Sequence, residues 1–184
     1  MVTTALLPIT ECRPTVTFGP RNFANMYSLI RQIESRRFFI AGTASNIKSV
    51  SYVENTVDAT LHLWDRSDAP GAPAYDAYNF IEKPDMTSRQ IAETVARSLG
   101  LNSPGRTIPM WSARVAAIPF DVVIALTGKN LPISSMRVKK LFVDETKFEA
   151  DKLLATGFCS KISLAEGIDR MVRWYVAGGR AEKA

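Results

Sequence analysis

The order of apolar and polar positions divides the chain into strands and helices almost from its start. Segment 9–21 is rich in apolar and β-branched residues, among them Ile9, Thr15, Val16, Thr17 and Phe18, and it ends at Gly19-Pro20. That pattern predicts a strand buried in a sheet. After Asn22, a good helix cap, the period changes to 3.6. Phe23, Met26, Tyr27, Ile30 and Ile33 fall on one face of a helix expected over about 23–37. Short strands at 38–41 and 49–52 flank a turn at 42–46, and Val53, Val57, Leu61 and Trp64 then mark the lining face of a second helix. A strand at 78–81 leads to Thr87-x-x-Gln90, a capping box for a helix with Ile91, Val95 and Leu99 inward and Gly100 as its stop. Ser163-x-x-Glu166 gives the same start signal to a last helix with Leu164, Ile168, Met171, Val172 and Tyr175 at helical spacing. The longest apolar run, 115–126, is interrupted by Pro119 and Asp121 and reads as a packed or pocket-flanking helix. Strands alternating with helices predict an α/β chain with a mixed sheet. No internal repeat or low-complexity tract interrupts it.

Composition supports one folded core, since 46% of the 184 residues are hydrophobic and only 22% are charged. The net charge of +5 raises the question of an anionic partner. Its carriers are scattered through Arg31, Arg36 and Arg37, then Arg137, Lys139 and Lys140, then Arg170, Arg173 and Arg180. Scattered cations predict a solvated surface, or attraction to an anionic substrate, and no nucleic-acid partner. The two cysteines, Cys12 and Cys159, are too few for a disulfide framework and are expected to behave as small apolar residues. No Cys or His cluster offers a metal site, and a reducing cytoplasm is the expected setting. No apolar stretch of 18 residues exists, and residues 1–8 lack a basic, apolar leader pattern, so neither a membrane span nor a signal peptide is expected.

Several motifs recur in a fixed order. Four residues separate Arg13-Pro14 from Gly19-Pro20-Arg21, and Gly42 to Asn55 is similar to a Gly-x(5)-Arg-x-x-x-Tyr-Val-x-Asp segment. Tyr78-Asn-Phe80, the segment 132–140 (Pro-Ile-Ser-Ser-Met-Arg-Val-Lys-Lys), Glu149-Ala-Asp-Lys152 and Gly157-Phe158 follow. On these residues the chain resembles, over 9–178, the extended short-chain dehydrogenase/reductase family, which includes the NAD-dependent sugar-nucleotide epimerases and dehydratases. The resemblance implies a partial Rossmann-like fold, made of its last sheet strands, plus the family's small mixed α/β substrate-binding domain. Residues 1–184 are then expected to form a single C-terminal substrate-binding portion. In it 9–21 and 78–99 complete the Rossmann-like sheet, 22–64 and 101–178 form the substrate-binding part, and the N-terminal cofactor-binding half precedes residue 1.

Two signatures of the family are missing. Dinucleotide binding on this fold needs a Gly-rich strand-to-helix turn, so that backbone N–H groups approach the pyrophosphate, and no Gly-x-Gly-x-x-Gly occurs. The family's catalytic pair is Tyr-x-x-x-Lys, yet none of Tyr27, Tyr52, Tyr75, Tyr78 and Tyr175 has a lysine four residues on. No catalytic residue is assigned, and the chain alone is expected neither to bind the NAD or NADP of its parent enzyme nor to perform hydride chemistry.

The resemblance also implies contacts, position by position. Pro14 and Thr15 match positions near the nicotinamide. Asn25 follows the Gly-Pro turn where an Asn holds the nucleotide phosphates, and its amide can donate and accept. Ile40 and Ala41 lie where a strand runs along the base, though plain strand packing explains them equally. Lys48 stands where an Arg commonly meets the diphosphate, and Arg137 resembles a second such Arg; two cations suit a buried dianion, although Lys lacks the bidentate fork. Val16 departs from the pattern, because many sugar-nucleotide members carry an Asn there. His62, Trp111, Trp174, Glu149 and Asp151 are read as packing or helix-start residues. The implied parent reaction is transient oxidation of a sugar hydroxyl of a nucleotide sugar, then re-reduction or elimination, in polysaccharide or cell-envelope sugar synthesis, by an enzyme expected to form a homodimer. The alternatives are a reductase or hydroxysteroid-dehydrogenase-like enzyme of the same fold, or a truncated non-catalytic module binding a nucleotide sugar or a partner. Missing strands would expose apolar surface, so residues 1–184 alone are expected to self-associate.

Overall fold

The computed structural model describes residues 9–67, 69, 71, 73–127 and 135–182, with positions 114, 120, 122, 123, 125, 135 and 137 described in backbone only. The eight strands among them are β1 (Ile9–Pro14), β2 (Val16–Phe18), β3 (Phe39–Ala41), β4 (Ile47–Lys48), β5 (Val50–Tyr52), β6 (Tyr75–Phe80), β7 (Met86–Thr87) and β8 (Arg106–Ile108). They form four two-stranded pairs. β1 runs parallel to β6, β2 to β5 and β3 to β8, whereas β4 and β7 are antiparallel. Segment 9–21 is therefore two strands. At Thr15 the extended chain leaves β6 and takes β5 as its partner, so Pro14 faces Phe80 and Val16 faces Val50.

The helices are α1 (Asn25–Glu34), α2 (Val53–Ser67), α3 (Ser88–Ser98), α4 (Met110–Thr127), α5 (Ser135–Phe142), α6 (Asp151–Leu154) and α7 (Leu164–Trp174), the last running into a wider turn at Tyr175–Gly179. Asn22 works one step earlier than a plain cap: its side chain accepts from Ala24 N at 2.9 Å and donates to Thr17 O at 3.0 Å, tying the end of β2 to α1. The Thr87–Gln90 capping box and the Ser163 cap form as the sequence predicts. Inward faces of α1, α3 and α7 meet β3 and β5 in the main core, with Ile30, Ile33, Ile40, Val95, Ile168 and Met171 essentially inaccessible. Removing each such side chain from water stabilises the fold by roughly 1.5–3 kcal/mol. A smaller core joins Ala59 and Leu63 of α2 to Phe80, Leu153 and Phe158.

Three expectations are corrected here. Ile9 and Val16 are 61% and 48% exposed, because β1 and β2 each have a described neighbour on one side only. On α2 the buried positions are Asn55, Ala59 and Leu63, while Val53, Val57, Leu61 and Trp64 face outward. Small Ala59 lets the helix lie close to β1, which sets its rotation. Finally, α4 continues through Pro119, which sits on the exposed side where water can take the freed carbonyl, and its Trp111, Val115, Ile118 and Leu126 point out of the core while Met110 packs against it.

Candidate functional site

Parallel strands direct attention to their carboxyl ends, where ligands of open α/β sheets bind. At the ends of β1 and β6 the Thr15 amide donates to Phe80 O at 3.2 Å. The Thr15 and Ser51 hydroxyls are 3.0 Å apart, and Ser51 Oγ also donates to Phe80 O at 3.3 Å. Three strands are thus joined where the chain changes partner. Thr15 is half-buried and Pro14 is exposed beside it.

Ser49 and Lys48 extend this seam. Ser49 Oγ donates to Asp85 at 2.8 Å and accepts from Phe148 N at 3.2 Å, and Lys83 bridges Asp85 (2.5 Å) and Phe148 O (2.9 Å). The Lys48 ammonium donates to Lys140 O at 2.8 Å, Asp144 O at 2.7 Å and Thr146 Oγ1 at 3.3 Å. Burial lowers its pKa from the ordinary value, with Asp144 and Glu145 pulling it back up. Lys48 therefore holds the carboxyl end of α5, where a cation complements the unpaired carbonyls of the last turn.

A buried polar cluster on the other side of β5 escaped the sequence reading. Glu82 and Asn55 are 2% and 0% exposed. Glu82 Oε1 accepts from Tyr52 N at 2.7 Å and from Asn55 Nδ2 at 3.0 Å, and Asn55 also holds Ile162 through its carbonyl (2.6 Å) and its amide (3.2 Å). This latch fixes the start of α2 to the segment before α7. The available signal was Asn55 itself, at the Asp position of the resembled segment. Burial pushes the Glu82 carboxyl above its ordinary value, against the opposing hydrogen bonds from Asn55 and Tyr52. A raised folded-state value means that Glu82 favours the fold fully below its unfolded pKa and loses that contribution as pH rises through the folded value. Glu82→Gln keeps the acceptor and removes the titration. Thermal melts of both proteins from about pH 4 to about pH 8 are expected to show wild type losing ground to the variant as pH rises. Parallel pH profiles would overturn this.

The seven sequence-derived positions fall into groups. Pro14 and Thr15 lie at the strand-end seam. Ile40 and Ala41 are buried in β3 at 2% and 0% exposure, their side chains in the core, with Ile40 reaching the floor of a 450 Å³ surface depression beside Arg89, Arg97 and Thr107. Lys48 is on β4 and bound to α5, which packs on β3 and carries Arg137. The Arg137 side chain lies outside the described residues. Asn25 stands exposed on the first turn of α1, and its amide has no hydrogen-bond partner among the described residues. The structure thus places β3, β4 and α5 side by side and leaves Asn25 on another element. His62 bonds Thr156 at 2.8 Å and Trp174 packs on Phe23 and Tyr27, so both are packing residues, whereas Trp111 is 70% exposed and Cys159 is exposed. Among the described residues no group of acids, cysteines and histidine has metal-site geometry, and no helix is long and apolar enough to cross a membrane.

No family model matches the chain. Over 166 residues it is 35% identical to the N-acetyl-alpha-D-glucosaminyl-diphospho-ditrans,octacis-undecaprenol 4-epimerase of Escherichia coli O157:H7, a match covering 90% of this chain and 49% of that protein. The chain spans about half the length of the curated relative it matches. Its fold is similar to UDP-glucuronic acid 4-epimerase of Bacillus cereus in complex with UDP-glucuronic acid and NAD (TM-score 0.60, 14% identity, 92% of this chain and 46% of that one). It is also similar to dTDP-glucose 4,6-dehydratase of Bacillus anthracis in complex with NAD (TM-score 0.59, 14% identity, 95% and 46%). A UDP-galactose 4-epimerase gives a TM-score of 0.60 at 20% identity, covering 92% of this chain and 46% of that one. At such identities the structures speak for the fold, and the curated relative speaks for descent. The chain therefore resembles the NAD-dependent epimerases and dehydratases of the extended short-chain dehydrogenase/reductase family, with the extent of their C-terminal portion.

Proposed function

We propose that this chain is the substrate-binding part of an NAD(P)-dependent epimerase acting on a sugar carried through a diphosphate. The carrying observation is the 35% identity, over 90% of the chain, to an epimerase whose sugar is joined to its carrier in that way. In this reading 9–21 and 78–99 complete a Rossmann-like sheet and 22–64 with 101–178 form the substrate-binding part. Pro14 and Thr15 border the nicotinamide. Arg137 and Asn25 meet the diphosphate, and Lys48 positions α5 for Arg137, because its own ammonium is already committed to three oxygens. The sequence has no Gly-rich turn, and Gly19 is closed off by Val53, whose Cγ1 lies 2.4 Å from where a Cβ would stand. The residues present do not fit a dinucleotide by themselves, so no chemical step is assigned to this chain. A cytoplasmic setting, a homodimeric parent and a role in polysaccharide or cell-envelope sugar synthesis belong to the same proposal.

The carrier is a polyprenol, as in the relative's name, and one feature of the chain supports it. Ile40 and Ala41, at 2% and 0% exposure, offer almost no side-chain surface to a nucleoside base. The nucleotide-sugar reading is favoured by the fold neighbours solved with UDP-sugars. Equilibrium binding of the full chain to a short-chain polyprenyl-diphospho-N-acetylglucosamine in detergent and to UDP-N-acetylglucosamine separates them. The lipid-linked sugar is expected to bind more tightly, with Arg137→Ala weakening it about 10-fold or more. Preference for the UDP-sugar would move the assignment to nucleotide sugars, and binding of neither would overturn it.

A further inference from the structure

The packing of α4 is reversed. Its buried described positions are small, Ala113 and Ala117 at 3% and 0% exposure, and Met110 packs on the core at its first turn, while four large apolar side chains face out: Trp111, Val115, Ile118 and Leu126 are 70%, 57%, 53% and 80% exposed. Spacings of four, three and eight residues put these four along one stripe of an 18-residue helix. The stripe is about 23 Å long. The neighbouring α5 adds exposed Met136 (66%) and Leu141 (45%). A water-facing helix would be patterned the other way round.

Charge says what covers this face. In sequence α4 and α5 hold four basic residues, Arg114, Arg137, Lys139 and Lys140, against one acid, Asp121; Lys139 and Lys140 are exposed, and Lys139 lies 3.9 Å from Asp144 just beyond α5. An apolar stripe with a basic flank, on a helix too short and too interrupted to cross a bilayer, has the chemistry of an interfacial helix lying in an anionic lipid surface. A second copy of the chain would meet the same positive charge and be repelled.

We infer that the outward face of α4, flanked by the basic residues of α5, docks this protein on the surface of an anionic phospholipid bilayer. The inference rests on the polyprenol reading for its purpose. A long polyprenyl chain does not leave the bilayer, so its diphosphate waits at headgroup level and the protein must come to it. Laying α4 into the interface brings α5, with Arg137, to the same level.

Flotation of the full chain with vesicles tests the surface without sugar, lipid substrate or cofactor present. The protein is expected to rise with phosphatidylethanolamine/phosphatidylglycerol vesicles and to bind phosphatidylcholine vesicles about 10-fold more weakly or less. Val115→Glu with Ile118→Glu is expected to lower binding at least 10-fold, and Lys139→Glu with Lys140→Glu to abolish the preference for anionic lipid. Val57→Glu, on the exposed face of α2, is expected to change nothing. Brominated acyl chains should quench the fluorescence of wild type and leave Trp111→Phe largely unquenched, which reads insertion without depending on a charge substitution. No flotation of wild type, equal loss with Val57→Glu, or a change of oligomeric state with unaltered vesicle binding would each overturn the inference. Tight binding of the polyprenyl-linked sugar in detergent by a protein that ignores vesicles would overturn the docking surface and leave the substrate reading standing. Flotation by a protein that prefers the UDP-sugar would do the reverse.

Discussion

Gly105→Ala is expected to lower stability by about 3 kcal/mol, seen as a fall in Tm of roughly 6–12 °C. A Cβ at Gly105 would stand 2.0 Å from Phe38 O and 2.8 Å from Phe38 C. Both are backbone atoms, so no rotamer change relieves the overlap. The next residues, Phe39 and Arg106, open the β3–β8 pair, and the strands would have to separate where Ile40 enters the core. Gly178→Ala is the comparison, because nothing lies within 4 Å of its Cβ position. Thermal melts of the two variants suffice, and equal Tm values would show that β3 and β8 yield easily.

Asn55→Asp is expected to cost about 3 kcal/mol or more at neutral pH. The substitution changes no volume. It removes the donors to Glu82 and Ile162 O and sets a second carboxylate 3.0 Å from the first in a site of 0% exposure. Two buried acids at that distance cannot both ionise, so the defect should shrink in acid as they come to share a proton. Glu82→Gln in the same protein should recover part of the loss, because the new amide can donate where the carboxylate could not. A double-mutant cycle in urea measures the coupling; additive effects would mean that the two residues do not communicate. Repulsion from the buried Glu82 likewise disfavours, in this chain, the Asp that the resembled segment has at position 55.

Elements whose apolar residues fill a single face were legible from spacing alone. Met26, Tyr27, Ile30 and Ile33 of α1, Ile91 and Val95 of α3, and Leu164, Ile168, Met171 and Val172 of α7 are buried as the 3.6-residue period requires, and the Thr87 and Ser163 caps form where their motifs stand. Helices apolar on more than one face were not. On α2 the series Val53, Val57, Leu61, Trp64 and the series Asn55, Ala59, Leu63 are both periodic, and hydrophobicity favours the wrong one. Close packing chose the series with the small residue at its centre, as it did at Ala113 and Ala117 of α4. At the candidate site, Lys48 was legible as a residue but not as a helix-end cap, since its acceptors Lys140 O and Asp144 O are distant in sequence. Glu82 gave no warning, because burial rather than neighbouring sequence makes it unusual.

The strand pairs carry a kinetic consequence. Ile9 finds its partner only when Tyr75 exists, Val16 waits for Val50, Phe39 for Arg106 and Lys48 for Met86. Among the described residues none of the four pairs is a hairpin, so none of these strands can close on its neighbour in the chain and nucleate the rest. Loop-closure entropy must be met before any sheet contact rewards it, which places this chain among slow, high-contact-order folders. Its earliest order therefore belongs to the helices, and during synthesis β1 and β2 emerge long before their partners β6 and β5 arrive to pair with them.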